Sequence, residues 1–175
     1  FVPHQPEALM EAMGGDAAFL ARLDSFFDDG WFEPSNEPSF HVPWLYGRTS
    51  QPHMATERVH ALLAEHFAAD PGGLPGNDDA GATSALYALA SMGLFPMAPG
   101  DGIYELTTPL FDRVELHLHP GRRGSQSFVI DTEGGDTGVT ILRASLDGSD
   151  LDVWQLTHAG IEAGGTLELS LGEAP

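Results

Sequence analysis

The sequence predicts an α+β protein in which helices come first and β-strands follow. Up to Met92 the apolar residues recur at spacings of three and four, which is typical of amphipathic helices. From Gly102 onward they alternate with polar residues, which is typical of half-buried strands. A boundary near residue 100 therefore divides the chain of 175 residues into a helical part, 1–100, and a β-rich part, 101–175.

Five helical segments are predicted in the first part, at residues 6–13, 17–27, 40–46, 52–67 and 80–92. Their ends carry the expected signals, since Pro6 opens the first helix, Asp16 caps the second and Gly93 ends the last. The intervening segments at 31–38 and 70–79 are rich in Pro, Gly, Ser and Asn, which predicts loops.

The β-rich part contains five strand-like segments, at residues 114–119, 128–130, 139–146, 151–156 and 167–171. His117 and His119 lie two apart on the first of them, and the alternation favours a solvated strand face over a metal-binding pair. Asp147-Gly148 predicts a two-residue hairpin. Thr157 is expected to cap a single helical turn that ends at Ile161.

The charge balance restricts the classes of ligand. The formal net charge is −19 and the seven basic residues include no lysine, so binding to nucleic acid or to an anionic membrane surface is disfavoured. Neutral or cationic ligands remain, including sugars and metal ions. The absence of cysteine excludes disulfides and thiolate metal sites. The sequence contains no apolar run of about 18 residues, so no membrane span is predicted. It also contains neither a Gly-x-Ser-x-Gly elbow nor a phosphate-binding loop ending in Lys.

The first candidate site is the run Asn77-Asp78-Asp79, which joins a glycine-rich loop to the predicted helix. Carboxylates at a helix N-terminus are favoured by its free N–H groups and its dipole, so a helix cap is one interpretation. The same position keeps a carboxylate ionised, which suits the general base of an inverting glycosidase. Asp78 and Asp79 are both placed for that role. For the partner acid, Glu37 is only a weak candidate.

The second candidate site comprises Asn36, Glu37 and His41, which precede an apolar run at 42–46. Trp44 and Tyr46 in that run are either platforms for a sugar ring or members of the core. Oxygen-rich clusters without cysteine suit a hard cation such as calcium. The spacing does not match an EF-hand loop, so any metal must also draw on ligands distant in sequence.

Ordered motifs along almost the whole chain resemble those of glycoside hydrolase family 92. The most specific is Gly-Leu-Pro-Gly-Asn-Asp-Asp-Ala-Gly-Ala-Thr-Ser-Ala-Leu-Tyr at 73–87, followed by Met-Gly-Leu-Phe-Pro-Met at 92–97. A second is Asn-Glu-Pro-Ser-Phe-His-Val-Pro-Trp-Leu-Tyr at 36–46. Shorter matches lie at 1–4, 109–112 and 157–167.

The resemblance implies an inverting, calcium-dependent exo-α-mannosidase that is secreted or periplasmic. Its fold would be an N-terminal β-sandwich, an (α/α)6 barrel and β structure near the C-terminus. Residues 1–100 would then be helices of the barrel, and residues 101–175 an antiparallel β region that follows it. The implied partners are a mannose-containing glycan and the remainder of the same enzyme, and the implied cofactor is Ca²⁺.

The resemblance also assigns roles to individual residues. Asp79 corresponds to the general base, and Asn77 lies beside it. Asn36 and Glu37 would line the pocket for the terminal mannose near the calcium, which makes them the candidate metal ligands. His41 and Asp78 complete the implied substrate-binding set.

Some positions depart from the family pattern, namely Gln5, Leu86 and the Gly-Arg-Thr-Ser segment at 47–50. The family's general acid lies on a motif before Phe1, so this chain is expected to be inactive alone and to expose apolar surface. Two alternatives remain open. One is a non-catalytic carbohydrate-binding or interaction module that works through the β-rich part, and the other is a homologue with neither activity.

Overall fold

The helical part of the protein, seen in a computed structural model, consists of four α-helices joined by short 3-10 turns. The structure describes residues 3–98, 100–118, 126–134 and 140–173. The α-helices are α1 (Pro6–Ala12), α2 (Asp16–Asp28), α3 (His53–His66) and α4 (Ala82–Ser91). The 3-10 turns cover Glu37–Ser39, Val42–Arg48 and Asp79–Gly81. All five predicted helical segments are therefore helical, although the segment at 40–46 is a 3-10 helix.

Two sheets follow the helices. The strands are β1 (Leu94–Phe95), β2 (Ile103–Leu106), β3 (Arg113–Leu118), β4 (Gln126–Glu133), β5 (Thr140–Leu146), β6 (Ser149–Asp150), β7 (Gln155–Thr157) and β8 (Gly165–Gly172), with α5 (His158–Glu162) before the last. The small sheet has the order β1-β2-β7 and the large sheet the order β3-β4-β8-β5-β6. Strands β1 and β2 were not predicted, because two to four residues carry too little periodicity.

The β-rich part is mixed, so the prediction of an antiparallel region is wrong for one pair of strands. β4 and β8 run parallel, with Phe128 opposite Gly165, while every other described pair is antiparallel. Parallel neighbours require a long connection between them. Here the chain between β4 and β8 passes through β5, β6, β7 and α5 before it returns alongside β4.

The prediction of a strand at 151–156 is wrong for residues 151–154, while Gln155 and Leu156 lie in β7. The predicted hairpin at Asp147-Gly148 is confirmed, since both residues have positive φ, 49° and 79°, as a type I′ turn requires. The returning strand β6 nevertheless ends at Asp150. Residues 151–154 belong to no strand, and the chain then joins the other sheet as β7, which pairs with β2.

Helix ends follow the predicted capping signals at some positions and not at others. Thr157 Oγ1 accepts a hydrogen bond from the Gly160 N–H at 3.0 Å, which confirms it as the cap of α5. Asp16 is not a cap, because its carboxylate accepts from the backbone N–H and hydroxyl of Ser50 instead. Helix α4 begins at Ala82 rather than at residue 80, because Ala80 and Gly81 have positive φ, 52° and 79°.

Two hydrophobic cores stabilise the fold, one among the helices and one beneath the large sheet. Trp44 and Tyr46 are fully buried in the helical core, so neither is a platform for a sugar ring. The Trp44 indole stacks on Phe95 with 4.1 Å between ring centroids, and the Tyr46 hydroxyl donates to Asp24 at 2.8 Å. Burial raises the pKa of the Tyr46 hydroxyl, and the Asp24 carboxylate raises it further.

A charge cluster around the buried carboxylate of Glu105 connects the helical part to the small sheet. Arg48 pairs with Glu105 of β2 and with Glu7 of α1, and the Gln155 amide of β7 donates to both carboxylate oxygens of Glu105. Burial raises the pKa of Glu105, which is 5 % exposed, while the Arg48 guanidinium opposes that shift. The 47–50 segment that departs from the family pattern therefore has its own structural role in this chain.

Several large apolar side chains are exposed, as expected for a chain that lacks packing partners. Among the described residues they are Met13, Trp31, Leu74, Tyr87, Leu110, Phe111, Leu142 and Val153. Within the same part of the chain, no helix combines the length and the apolar character that crossing a membrane requires. Self-association of the chain stays a prediction.

Candidate active site

Hydrogen bonds connect the residues after the Asp79 turn to the residues before it. Asp78 Oδ1 accepts from the Ser84 N–H at 2.9 Å, and Asp78 Oδ2 accepts from the Ser84 hydroxyl at 2.7 Å. The Thr83 hydroxyl donates to the carbonyl oxygen of Asn77 at 2.7 Å. Asp78 thus satisfies free donors in the first turn of α4, although it lies four residues before that helix.

The environment of Asp78 favours its ionised form. The hydrogen bond from the Ser84 hydroxyl lowers the pKa of the Asp78 carboxyl, and the backbone N–H of Ser84 lowers it further. The direction of this shift agrees with the prediction for a carboxylate at a helix N-terminus, although its largest cause is the Ser84 hydroxyl. A carboxylate has about four lone-pair positions, and Ser84 with the backbone N–H of Thr83 uses up to three, so at least one remains for a further donor such as a sugar hydroxyl.

Asp79 is exposed and begins the 3-10 turn. Its carbonyl oxygen accepts the Ala82 N–H, and the residue after it, Ala80, is left-handed. No hydrogen bond or ion pair from another described residue reaches its carboxylate. The Asp78 carboxylate is therefore hydrogen-bonded to helix α4, whereas the Asp79 carboxylate has no such bond among the described residues and can contact a ligand.

The loop before the second candidate cluster is held at several points. Phe32 packs on Phe27 with 4.9 Å between ring centroids, Pro34 is buried and Glu33 Oε1 accepts the Ser35 N–H at 3.0 Å. Asn36 Oδ1 then accepts the Glu37 N–H at 3.1 Å, which caps the following 3-10 turn. At the start of this turn, Asn36 is exposed and Glu37 is half-buried.

The loops that precede the two predicted clusters meet in space. Gly76 has φ +65°, and a Cβ built on it would overlap the Ser35 carbonyl oxygen and lie 2.6 Å from the Ser35 Cβ. Because only a glycine allows this approach, the loop before Asn36 lies directly against the loop before Asn77. The structure thus brings together the Asn36-Glu37 and Asn77-Asp79 segments, which are about forty residues apart in sequence.

His41 lies beneath this surface and is 8 % exposed. Burial lowers the pKa of its imidazole, and a hydrogen bond with the backbone of Pro38 acts in the opposite direction. His41 immediately precedes the 3-10 helix Val42–Arg48, and its buried imidazole contacts the backbone of Pro38.

The described residues do not make a complete calcium site. No group of three or more His, Asp or Glu side chains converges within the described part of the chain. Asn36 and Glu37 supply oxygen atoms, but calcium takes six to eight oxygen ligands. On the strand β3, His117 is exposed with Nδ1 3.8 Å from Glu115 Oε1, and His119 lies outside the described residues.

Three residues near these loops carry features that the sequence analysis missed. Ser84 is the double donor to Asp78, and Gly76 is the contact between the loops. Trp31 is 68 % exposed on the held loop, five residues before Asn36. Two features of the sequence could have pointed to them. Ser84 is a hydroxyl residue in the first turn of a predicted helix, and Trp31 is a tryptophan within a polar loop.

Comparisons with known proteins agree on one family. The catalytic-domain profile of glycosyl hydrolase family 92 matches residues 1–173. A protein of Arthroderma benhamiae, described as an uncharacterized secreted glycosidase, is 36 % identical over 174 residues, which is 99 % of this chain and 22 % of that protein.

Solved structures share the fold. A GH92 alpha-mannosidase of Bacteroides thetaiotaomicron superposes with a TM-score of 0.87 at 23 % identity, covering 98 % of this chain and 24 % of that chain. A GH92 inverting mannosidase of Bacteroides thetaiotaomicron VPI-5482 superposes with a TM-score of 0.85 at 30 % identity, covering 99 % of this chain and 26 % of that chain. The chain spans about a quarter of the length of the relatives that it matches. It belongs to glycosyl hydrolase family 92.

Proposed function

We propose that this chain is the C-terminal part of an inverting, calcium-dependent α-mannosidase that removes terminal mannose from glycans. Its helical part would complete an (α/α)6 barrel whose other helices, with an N-terminal β-sandwich, lie in the remainder of the enzyme. We further propose that the enzyme is exported, since a relative is described as secreted.

The observation that carries this proposal is the contact between Ser35 and Gly76. This contact sets the backbone just before Asn36 against the backbone just before Asn77, and it supports placing Asn36 and Glu37 in the same site as Asp79. Such a pairing suits recognition of a sugar's hydroxyl groups next to a group that accepts a proton from water. The groove on the large sheet is less suited to a sugar-binding module, because its described lining residues, among them Arg143, Glu168 and Ser170, include no aromatic side chain on which a sugar ring could stack.

In this proposal Asp79 deprotonates the water that attacks the anomeric carbon. An inverting enzyme leaves room for that water by holding its acid and base roughly 6.5–9.5 Å apart. Asn77 lies beside the base, while Asn36, Glu37 and Asp78 contact the terminal sugar. His41 supports that contact from below, because its side chain is buried.

We infer that Asn36 and Glu37 contribute oxygen ligands to the calcium ion, whose other ligands come from outside the described residues. Calcium titrated calorimetrically into this chain alone should therefore give weak or undetectable binding. The intact enzyme should bind calcium more tightly and lose affinity in an Asn36→Ala variant. Tight binding by this chain alone would contradict a shared site.

The general acid would come from the part of the enzyme that precedes Phe1, so this chain alone should release no product from an aryl α-mannoside. The intact enzyme should release β-mannose first, as followed by ¹H NMR before mutarotation. An α-anomer as first product would contradict inversion. Robust turnover by the isolated chain would contradict the missing acid.

A further inference from the structure

The turn that presents Asp79 is not stabilised by its own sequence. Ala80 lies in the left-handed region, which disfavours residues with a Cβ. Gly81, the residue before α4, also has positive φ and offers no side chain to cap the helix. Something outside residues 79–81 must therefore hold this conformation.

The external restraint is the pair formed by Asp78 and Ser84. Both carboxylate oxygens of Asp78 accept from Ser84, one from its N–H and the other from its hydroxyl. These bonds close a ring around the residues between them, and the bond from Thr83 to the Asn77 carbonyl closes a second ring beside it. Asp79 lies inside both rings.

We propose that Asp78 and Ser84 are a positioning pair, which fixes the direction of the Asp79 carboxylate for proton transfer. The proposal rests on the role of Asp79 given above. Proton abstraction from a bound water depends on distance and angle, and a displacement of about 1 Å can lower a rate by about 10²-fold. Neither Asp78 nor Ser84 needs to touch the reacting water to affect turnover.

A purely structural cap would have a different signature. Loss of a helix cap lowers stability, but it leaves the turnover of the folded molecules unchanged. The chain offers a matched control, because Thr157 caps α5 through a hydroxyl in the same way and lies in the β-rich part. A Thr157→Ala variant should lose thermal stability and keep the kcat and KM of the wild-type enzyme.

The test uses the intact enzyme with an aryl α-mannoside, at a temperature where each variant is folded. Ser84→Ala removes the hydroxyl donor, and it should lower kcat by about 10- to 100-fold with less than about a threefold change in KM. Ser84→Thr retains the hydroxyl and should restore kcat to within about threefold of wild type. Asp78→Asn keeps an acceptor for the Ser84 N–H, and its kcat carries the test if Ser84→Ala fails to fold. Its KM is expected to rise, because Asp78 also contacts the sugar in the proposed function.

The double variant Asp78→Asn/Ser84→Ala should be no slower than the slower single variant, because the two residues act as one unit. A kcat within twofold of wild type in the folded single variants would overturn the proposal. A double variant whose loss of kcat equals the product of the two single losses would also overturn it. The proposed function itself is judged separately by Asp79→Asn. If Asp79→Asn abolishes turnover while the Ser84 and Asp78 variants retain it, only the positioning role fails.

Discussion

The carboxylates of Asp78 and Asp79 are adjacent in sequence and differ in their surroundings. Asp78 is bound to Ser84 and its pKa is lowered, whereas Asp79 has no partner among the described residues. Sequence reasoning could identify the Asn77–Asp79 run as a site, because its position before a helix has a physical meaning. Apart from the family resemblance, the residue pattern could not distinguish the two carboxylates, since their difference depends on a hydrogen bond to a residue six positions later.

Burial of His41 makes stability depend on pH. Its folded-state pKa is lowered from an unfolded value of about 6.5. The unfolded chain therefore binds a proton first, and the contribution of His41 is present above about pH 6.5 and is lost as pH falls through the folded pKa. Urea unfolding at pH values from about 5 to 7 should show the free energy of unfolding decreasing toward low pH.

The matched variant is His41→Asn, which keeps a neutral polar side chain that does not titrate in this range. It should be less stable than wild type near pH 7, and its stability should change less between about pH 7 and 5. Parallel pH profiles for the two proteins would show that His41 does not carry the effect.

At the scale of elements, the contact between two loops decides whether the site exists. Gly76 is the residue that permits it, because its φ is positive and its Cα lies against Ser35. We expect Gly76→Ala to cost more than the roughly 1–2 kcal/mol of left-handed strain alone, and to lower activity of the intact enzyme. Gly148→Ala is the control, since Gly148 has φ +79° with no atom near a built Cβ. Equal losses in the two variants would mean that the loops adjust freely.

A substitution in the left-handed turn at Ala80 is expected to increase the stability of the protein, whereas Gly76→Ala is expected to lower it. Ala80→Gly relieves the strain of φ +52° and adds freedom to the unfolded chain, so we expect a net gain of roughly 0.5–1 kcal/mol. Ala88→Gly, in the exposed middle of α4, should instead lose about 1 kcal/mol. Thermal denaturation of both variants measures the difference, and destabilisation by Ala80→Gly would argue against strain in the turn.

Most elements could be predicted because periodicity and capping residues act locally. The helices and the Asp147-Gly148 hairpin follow from such signals. The parallel pairing of β4 with β8 could not be predicted, because it depends on contacts across more than thirty residues. The end of β6 at Asp150 was missed for a similar reason, since residues 151–154 alternate like a strand but lead to another sheet.

For the whole molecule, the Arg48–Glu105 pair connects the helices to the small sheet. Arg48→Met leaves the Glu105 carboxylate buried without its cation, and we expect a loss of roughly 3–5 kcal/mol. Glu105→Gln retains an amide oxygen that can accept from Arg48 and Gln155 and should cost less. The double variant should be more stable than Arg48→Met alone. Additive losses in chemical unfolding would show that the two groups are not coupled.

The account of the whole molecule depends on Asp79 as the general base of the intact enzyme. The most direct measurement is the kcat of Asp79→Asn with an aryl α-mannoside, compared with Asp152→Asn, an exposed aspartate in the β-rich part. We predict that Asp79→Asn lowers kcat by about 10²- to 10⁴-fold with an unchanged fold, and that Asp152→Asn matches wild type. A kcat for Asp79→Asn within a few-fold of wild type would contradict the account.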